Sequence, residues 1–101
     1  VLHEFAHALD MLNGTVNGTP PMRKGLHARW VEVCQSEYED FRVRLDHGAP
    51  GVIDPYAATN PGEFFAVVTE HFFEQPHVLH DHHPALWEMF GEYYGYSFGG
   101  G

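Results

Sequence analysis

The segment VLHEFAHALDML, residues 1–12, sets the architecture that we expect for this chain. Its apolar residues recur with the three- and four-residue spacing of one helix face: Leu2, Phe5, Ala6, Leu9 and Leu12. Asn13-Gly14 follows and predicts the end of the helix, because both residue types tolerate the left-handed backbone conformation of a helix C-terminus. A first helix is therefore predicted over about residues 1–12. No capping residue precedes it, so we expect the chain to lack an N-terminal part.

Two later helices are predicted from apolar stripes. The second covers about residues 26–46, and its stripe consists of Trp30, Cys34, Tyr38, Phe41 and Leu45. The last covers about residues 84–95, and its apolar residues are Leu86, Trp87, Phe90, Tyr93 and Tyr94. Loops are predicted at about 13–22 and 47–59 from their Gly, Pro and Asn-Gly content.

The third helix is predicted from its N-terminal signals and covers about residues 61–74. Asn60 suits the N-cap and Pro61 suits the first helical position. Its apolar residues are Phe64, Phe65, Val67, Val68 and Phe72. The His- and Pro-containing residues 74–84 that follow are interpreted as a loop. The prediction is thus a mainly α fold in one domain over residues 1–101.

The composition excludes several classes of function. Five Lys and Arg residues against 14 Asp and Glu residues leave a formal net charge of −9, which argues against direct nucleic-acid binding and against anionic membrane surfaces. No apolar run approaches the roughly 20 residues of a membrane helix. The single cysteine, Cys34, excludes an internal disulfide and a cysteine-based zinc finger. Nine histidines, by contrast, direct attention to metal chemistry.

Residues 3–7 form the sequence H-E-x-x-H. His3 and His7 lie one helical turn apart on the same face, so both imidazoles can reach one zinc ion. Glu4, next to the first histidine, can accept a proton from a zinc-activated water, whose pKa falls toward about 7. The motif has only three fixed positions and occurs by chance, but an apolar helix makes two buried histidines and a glutamate costly without a metal.

A catalytic zinc usually has three protein ligands, so a third must come from elsewhere. Glu63 and Glu70 are the best placed, seven residues apart on one face of the third helix. The other candidates are the remaining histidines: His27, His47, His71, His77, His80, His82 and His83. We interpret the histidines of 77–83 as a solvated surface loop that binds metal only adventitiously.

Local structural roles compete with these assignments. Glu63 occupies the third helical position after Asn60 and can be the reciprocal partner of a capping box. Asp10 can orient a ligand histidine or simply cap and solvate the end of the first helix. Glu70, on the third helix, can likewise orient a ligand histidine or serve only a local structural role.

Three segments together carry a family resemblance: HEFAHALDMLNG at 3–14, YAATNPGEFFAVVTEHFFEQP at 56–76 and PALWEMFGEYY at 84–94. They resemble, over nearly the whole chain, the C-terminal half of the Mlc titration factor A family of zinc-dependent peptidases. The catalytic domain of anthrax lethal factor is similar in the same elements, with a tyrosine seven residues before the ligand glutamate. Tyr56 and Glu63 have this spacing.

The resemblance implies a role for each matching residue. His3, His7 and Glu63 match the zinc ligands, and Glu4 matches the general base. Tyr56 matches a tyrosine whose hydroxyl donates to the oxyanion of the reaction, although packing at a loop–helix junction would also explain an aromatic residue there. The resemblance also implies that the chain is the helical C-terminal part of a zincin-like α+β domain whose N-terminal sheet is missing here.

Three functions follow as expectations. The first is a cytoplasmic zinc peptidase that hydrolyses peptide substrates, of aminopeptidase type in this family. The second, also implied by the resemblance, is a regulator that sequesters a DNA-binding transcriptional repressor, with catalysis secondary. The third is a helical fragment with no function of its own. Glu4→Gln separates the first two, because it should abolish hydrolysis and leave zinc and partner binding intact.

Overall fold

The computed structural model describes residues 2–12, 22, 24–48 and 51–97. Its elements are α1 (Leu2–Met11), α2 (Lys24–Asp46), a 3₁₀ helix (Pro55–Ala58), α3 (Pro61–Glu74), α4 (Pro76–His82) and α5 (Pro84–Ser97). No strand occurs in these described ranges, and the predicted mainly α class is confirmed. The helix stop at Asn13-Gly14 and the loop of residues 13–21 lie outside the described residues.

The third helix lies at the centre of the fold. α1 packs against α3, the 3₁₀ helix leads into it, and α4 and α5 also contact it. Every residue from Phe64 to Thr69 is buried, so apolar side chains surround the middle of the helix rather than marking one stripe. A helix that is apolar on all sides belongs in a core. The charged and histidine side chains of α3 lie toward its ends, with Glu63 in the first turn and Glu70, His71 and Glu74 after the buried stretch.

An aromatic cluster joins α2, α3 and α5. Trp30 is fully buried, and its ring centroid lies 4.7 Å from that of Phe90, 5.5 Å from that of Tyr93 and 5.7 Å from that of Phe65. Such offset and edge-on aromatic pairs contribute about 0.5–1.5 kcal/mol each beyond the area that they bury. The stripe predicted for α2 is therefore a core face. Of the residues predicted as apolar packing on α5, Trp87 differs, because it is 37% exposed and lies edge-on to His80.

The loop predicted over residues 74–84 is wrong, because most of it forms α4. Pro76 occupies the first helical turn, where its missing N–H needs no partner. Leu79 is 1% exposed and anchors the helix in the core. The sequence signal was available: Pro76 is equivalent in position to Pro61 and Pro84, which begin α3 and α5.

The histidines of this segment divide into two groups. His77, His80 and His82 are exposed on α4, as expected of a solvated surface. His83 is only 7% exposed, and its Nδ1 lies 3.1 Å from Glu37 Oε1 on α2. It therefore joins α2 to the α4–α5 junction. None of the helices in the described ranges is long and apolar enough to cross a membrane.

Candidate metal centre

The packing of α1 on α3 brings together three of the residues singled out in the sequence. His3 Nε2 lies 2.8 Å and His7 Nε2 lies 2.9 Å from the same carboxylate oxygen, Glu63 Oε1. One ligand atom from each of the three residues lies within 4.8 Å of the other two. All three side chains are partly buried, with 16% of Glu63 and about a quarter of each imidazole exposed. A pocket of nitrogen and oxygen donors therefore opens at the α1–α3 contact.

The position of Glu63 is set by the start of α3. Asn60 is the N-cap, and its Oδ1 accepts a hydrogen bond from the backbone N–H of Glu63 at 2.9 Å. Only this half of the proposed capping box is visible, because the Glu63 carboxylate is directed at the two histidines and Tyr56. A carboxylate in the first turn is also stabilised by the positive end of the helix dipole.

The charge state of Glu63 reflects these contacts. Burial acts to raise the pKa of its carboxyl group, but hydrogen bonds from Tyr56 and His3 and the charge of His7 outweigh burial. The net result is a pKa below the usual value for glutamate. Glu63 is therefore held as a carboxylate, which is the form that binds a metal ion.

A second carboxylate reaches the far side of one imidazole. Glu70 Oε1 lies 2.8 Å from His3 Nδ1. This hydrogen bond is the largest influence on the pKa of His3, which is raised although burial acts to lower it. His7 differs, because its Nδ1 is buried and makes no hydrogen bond within the described part of the chain. Asp10 is fully buried one turn after His7, and no hydrogen bond joins it to that nitrogen.

The 3₁₀ helix places Tyr56. Asp54 caps this helix by accepting from the backbone N–H of Tyr56 at 2.9 Å, and Tyr38 on α2 donates to the carbonyl of Ala58 at 3.2 Å. The Tyr56 hydroxyl donates to Glu63 Oε2 at 2.8 Å, which raises the pKa of the phenol. Asp54 is not among the residues predicted from the sequence, although an aspartate directly before Pro55 is a typical helix-capping signal.

Glu4 lies in the first turn of α1, directly after His3, and is exposed. An open groove of about 560 Å³ adjoins the histidine–glutamate pocket on the side of His3 and Tyr56. The lining of the groove is mainly polar: His3, Asp54, Tyr56, Glu70, His71 and Glu74 are among its residues. The groove gives an extended molecule access to the pocket from solvent.

The donor set fits a zinc ion. Two imidazole nitrogens and one carboxylate are the ligands of many catalytic zinc sites, which leave a fourth position open. Both Nε2 atoms converge on one oxygen, so a cation between them would replace close nitrogen–oxygen contacts with bonds to itself. Among the described residues, no other three His, Cys, Asp or Glu side chains converge in this way. The histidines of α4 in particular form no such group.

Comparisons with known proteins place the chain in a family. The profile of a family described as the glucose-regulated metallopeptidase M90 matches residues 1–95. An uncharacterized protein of Synechocystis sp., slr2042, is 47% identical over 95 residues, covering 93% of this chain and 34% of that protein.

Proteins named Mlc titration factor A are also similar. That of Escherichia fergusonii is 38% identical over 100 residues, covering 94% of this chain and 37% of that protein. That of Yersinia pestis is 39% identical over 97 residues, covering 93% and 36%. The chain spans about a third of the length of the curated relatives that it matches. Since the family profile covers nearly all of it, the chain belongs to the glucose-regulated metallopeptidase family M90.

Proposed function

We propose that the protein is a zinc-dependent peptidase that hydrolyses peptide bonds. The observation that carries this proposal is the convergence of His3 Nε2 and His7 Nε2 on the carboxylate of Glu63, beside an open groove. Membership of a metallopeptidase family supports it, since such a family implies a bound metal ion. An aminopeptidase preference for short substrates is part of the proposal, and it rests on the family resemblance alone.

His3, His7 and Glu63 would hold the zinc ion. When bound, zinc would supply Lewis acidity, which polarises the scissile carbonyl and makes water a better nucleophile. The negative charge of Glu63 would offset part of the charge of the metal. Its oxygen Oε1 lies between the two histidines, whereas Oε2 accepts from Tyr56.

Two further side chains would move or hold protons. Glu4, exposed and adjacent to His3, would accept a proton from the attacking water and pass it to the leaving amine. Tyr56 would turn its hydroxyl from Glu63 toward the substrate carbonyl and donate to the negative charge that develops there. The residue is 52% exposed, which leaves room for this movement.

Metal content and peptide hydrolysis test the proposal together. We expect about one zinc ion per chain in the protein and a clear loss in Glu63→Ala and in His3→Ala. Glu4→Gln should keep the zinc and lose about 1,000-fold in kcat, because general-base catalysis contributes about 10²–10⁴. Glu32→Gln, a change of the same kind on the exposed side of α2, is the matched control. Full zinc retention in Glu63→Ala would refute the ligand set.

The amino terminus of the substrate distinguishes an aminopeptidase from an endopeptidase. An aminopeptidase cleaves short peptides with a free amino terminus and fails on the same peptides after N-acetylation. Equal cleavage of both forms would show an endopeptidase and remove the aminopeptidase part of the proposal. The zinc site would stand in either case, because the measurement of metal content does not depend on the substrate.

A second candidate function comes from the names of the relatives. Several similar proteins are named for titrating Mlc, so this chain would bind a repressor protein of that kind. Action in the cytoplasm is part of this proposal and rests on the family resemblance alone. Repressor binding that persists in Glu4→Gln and in His3→Ala would show that the regulatory role is independent of the zinc site. Loss of binding in both variants would tie the two functions to one surface.

A further inference from the structure

We infer that Glu70 is a positioning residue for His3, holding the imidazole so that its Nε2 is presented to the metal. The inference rests on the zinc site proposed above and adds to it a carboxylate that does not itself bind the ion. The direct evidence is the 2.8 Å contact between Glu70 Oε1 and His3 Nδ1, the ring nitrogen that faces away from Glu63.

The geometry fixes both the plane and the protonation pattern of the ring. Glu63 and Glu70 lie seven residues apart on α3, which places them about 10 Å apart along the helix axis. His3 bridges them, with Nε2 at 2.8 Å from Glu63 and Nδ1 at 2.8 Å from Glu70. A carboxylate is only an acceptor, so Nδ1 must carry a proton when it bonds to Glu70. Nε2 donates to the Glu63 carboxylate in the same way, so a metal ion at Nε2 would displace that proton while Glu70 keeps the proton on Nδ1.

The second histidine of the pocket lacks this support. His7 Nε2 also contacts Glu63, but its Nδ1 has no hydrogen-bond partner among the described residues. The effect of Glu70 should therefore fall on one of the two imidazoles. Glu74 follows Glu70 by one turn and lines the same groove, and none of the described hydrogen bonds joins it to either histidine. It is the matched control for loss of one carboxylate from this wall.

The exposure of the Glu70 side chain sets the loss of zinc affinity that we expect when it is removed. The Glu70 side chain is 37% exposed, so water can take over part of its role at Nδ1. Loss of a hydrogen-bonded partner of a ligand histidine typically costs 10–100-fold in metal affinity, and we expect the lower end of that range. Glu70→Gln keeps an acceptor oxygen but not the charge, so its loss should be smaller.

Chelator competition on the protein, purified as its full natural chain, measures the zinc affinity of each variant. We expect Glu70→Ala to bind zinc about tenfold more weakly, Glu70→Gln to lie between it and the unaltered protein, and Glu74→Ala to change less than twofold. The thermal midpoint of metal-free Glu70→Ala should stay within about 4 °C of the unaltered protein, since its carboxylate is partly solvated. If Glu70→Ala does not fold, the nearly isosteric Glu70→Gln gives the test.

A nitrogen-15 NMR experiment on the zinc-loaded protein reads the contact itself. The Nδ1–H proton of His3 should exchange slowly with water in the unaltered protein and in Glu74→Ala, and quickly in Glu70→Ala. Unchanged zinc affinity and unchanged exchange in Glu70→Ala would overturn the positioning role. Zinc retained by His3→Ala would instead overturn the proposed zinc site, so the two failures are distinguishable.

Discussion

Replacement of Tyr56 by phenylalanine removes one hydroxyl from the edge of the candidate metal centre. We expect kcat for peptide hydrolysis to fall about 100-fold, while KM and zinc affinity change less than about threefold. The reason is that the proposed donor acts on charge that develops during the reaction, not on the bound substrate or on the metal.

The magnitude follows from the surroundings of the hydroxyl. A single donor aimed at a developing oxyanion typically contributes about 10²–10³ in kcat. Tyr56 is half exposed, so a water molecule can replace part of its function, and the lower end of the range applies. Its hydroxyl donates to Glu63 Oε2 at 2.8 Å, the carboxylate oxygen that does not face the histidines. Removal of this contact leaves Oε1 in place.

Steady-state kinetics and zinc titration of the same preparations give the result. Tyr38→Phe is the control, because it also removes a phenol hydroxyl, one that supports the 3₁₀ helix at Ala58 rather than the metal centre. It should alter kcat less than threefold. A Tyr56→Phe protein with full activity would refute the oxyanion role. A loss of zinc in proportion to the loss of activity would show that Tyr56 supports the ligands and not the reaction.

Three further predictions concern stability and reactivity. Burial raises the pKa of the Cys34 thiol to about 12, so at pH 8 it should react with a thiol reagent about 1,000-fold more slowly in the folded than in the unfolded protein. Because the unfolded thiol ionises near pH 8.5, this burial also lowers stability as the pH rises from about 8 toward 12, and Cys34→Ala should lessen that loss in alkaline melts. Thr69 Oγ1 and the Tyr94 hydroxyl lie 2.9 Å apart in the core, so Thr69→Val and Tyr94→Phe should each cost about 1–2 kcal/mol. In denaturant titrations the double variant should cost about 1 kcal/mol less than the sum, and strict additivity would refute the bond. Asn60→Ala should cost about 1 kcal/mol through loss of the α3 cap and Asn60→Asp almost nothing, and equal losses would refute the cap.

Much of the helical arrangement is readable from local chemistry. The Asn60–Pro61 pair predicts the start of α3, and the stripe containing Trp30 predicts the buried face of α2, because capping and apolar spacing act within a few residues. α4 is the exception, because the histidines and prolines of this short segment favour a loop. Its helix depends on Leu79 packing into the core, and this packing is not visible in a polar seven-residue segment.

The candidate site also has one part that local spacing predicts and one part that it does not. The spacing of His3 and His7 alone predicts two imidazoles on one helix face, since 3.6 residues complete one turn. The third ligand could not be chosen on this basis, because Glu63 and Glu70 share a face of α3 and Glu63 also suits a capping box. The choice depends on how α1 lies across α3.

By itself, the sequence determined helices α1, α2, α3 and α5, the residues that could bind a metal and the order in which they occur. These properties depend on interactions within one or two turns. Only the tertiary structure decided that Glu63 meets both Nε2 atoms while Glu70 meets His3 Nδ1. Contacts across more than 50 residues depend on the crossing of two helices, and many small packing contacts set that crossing together.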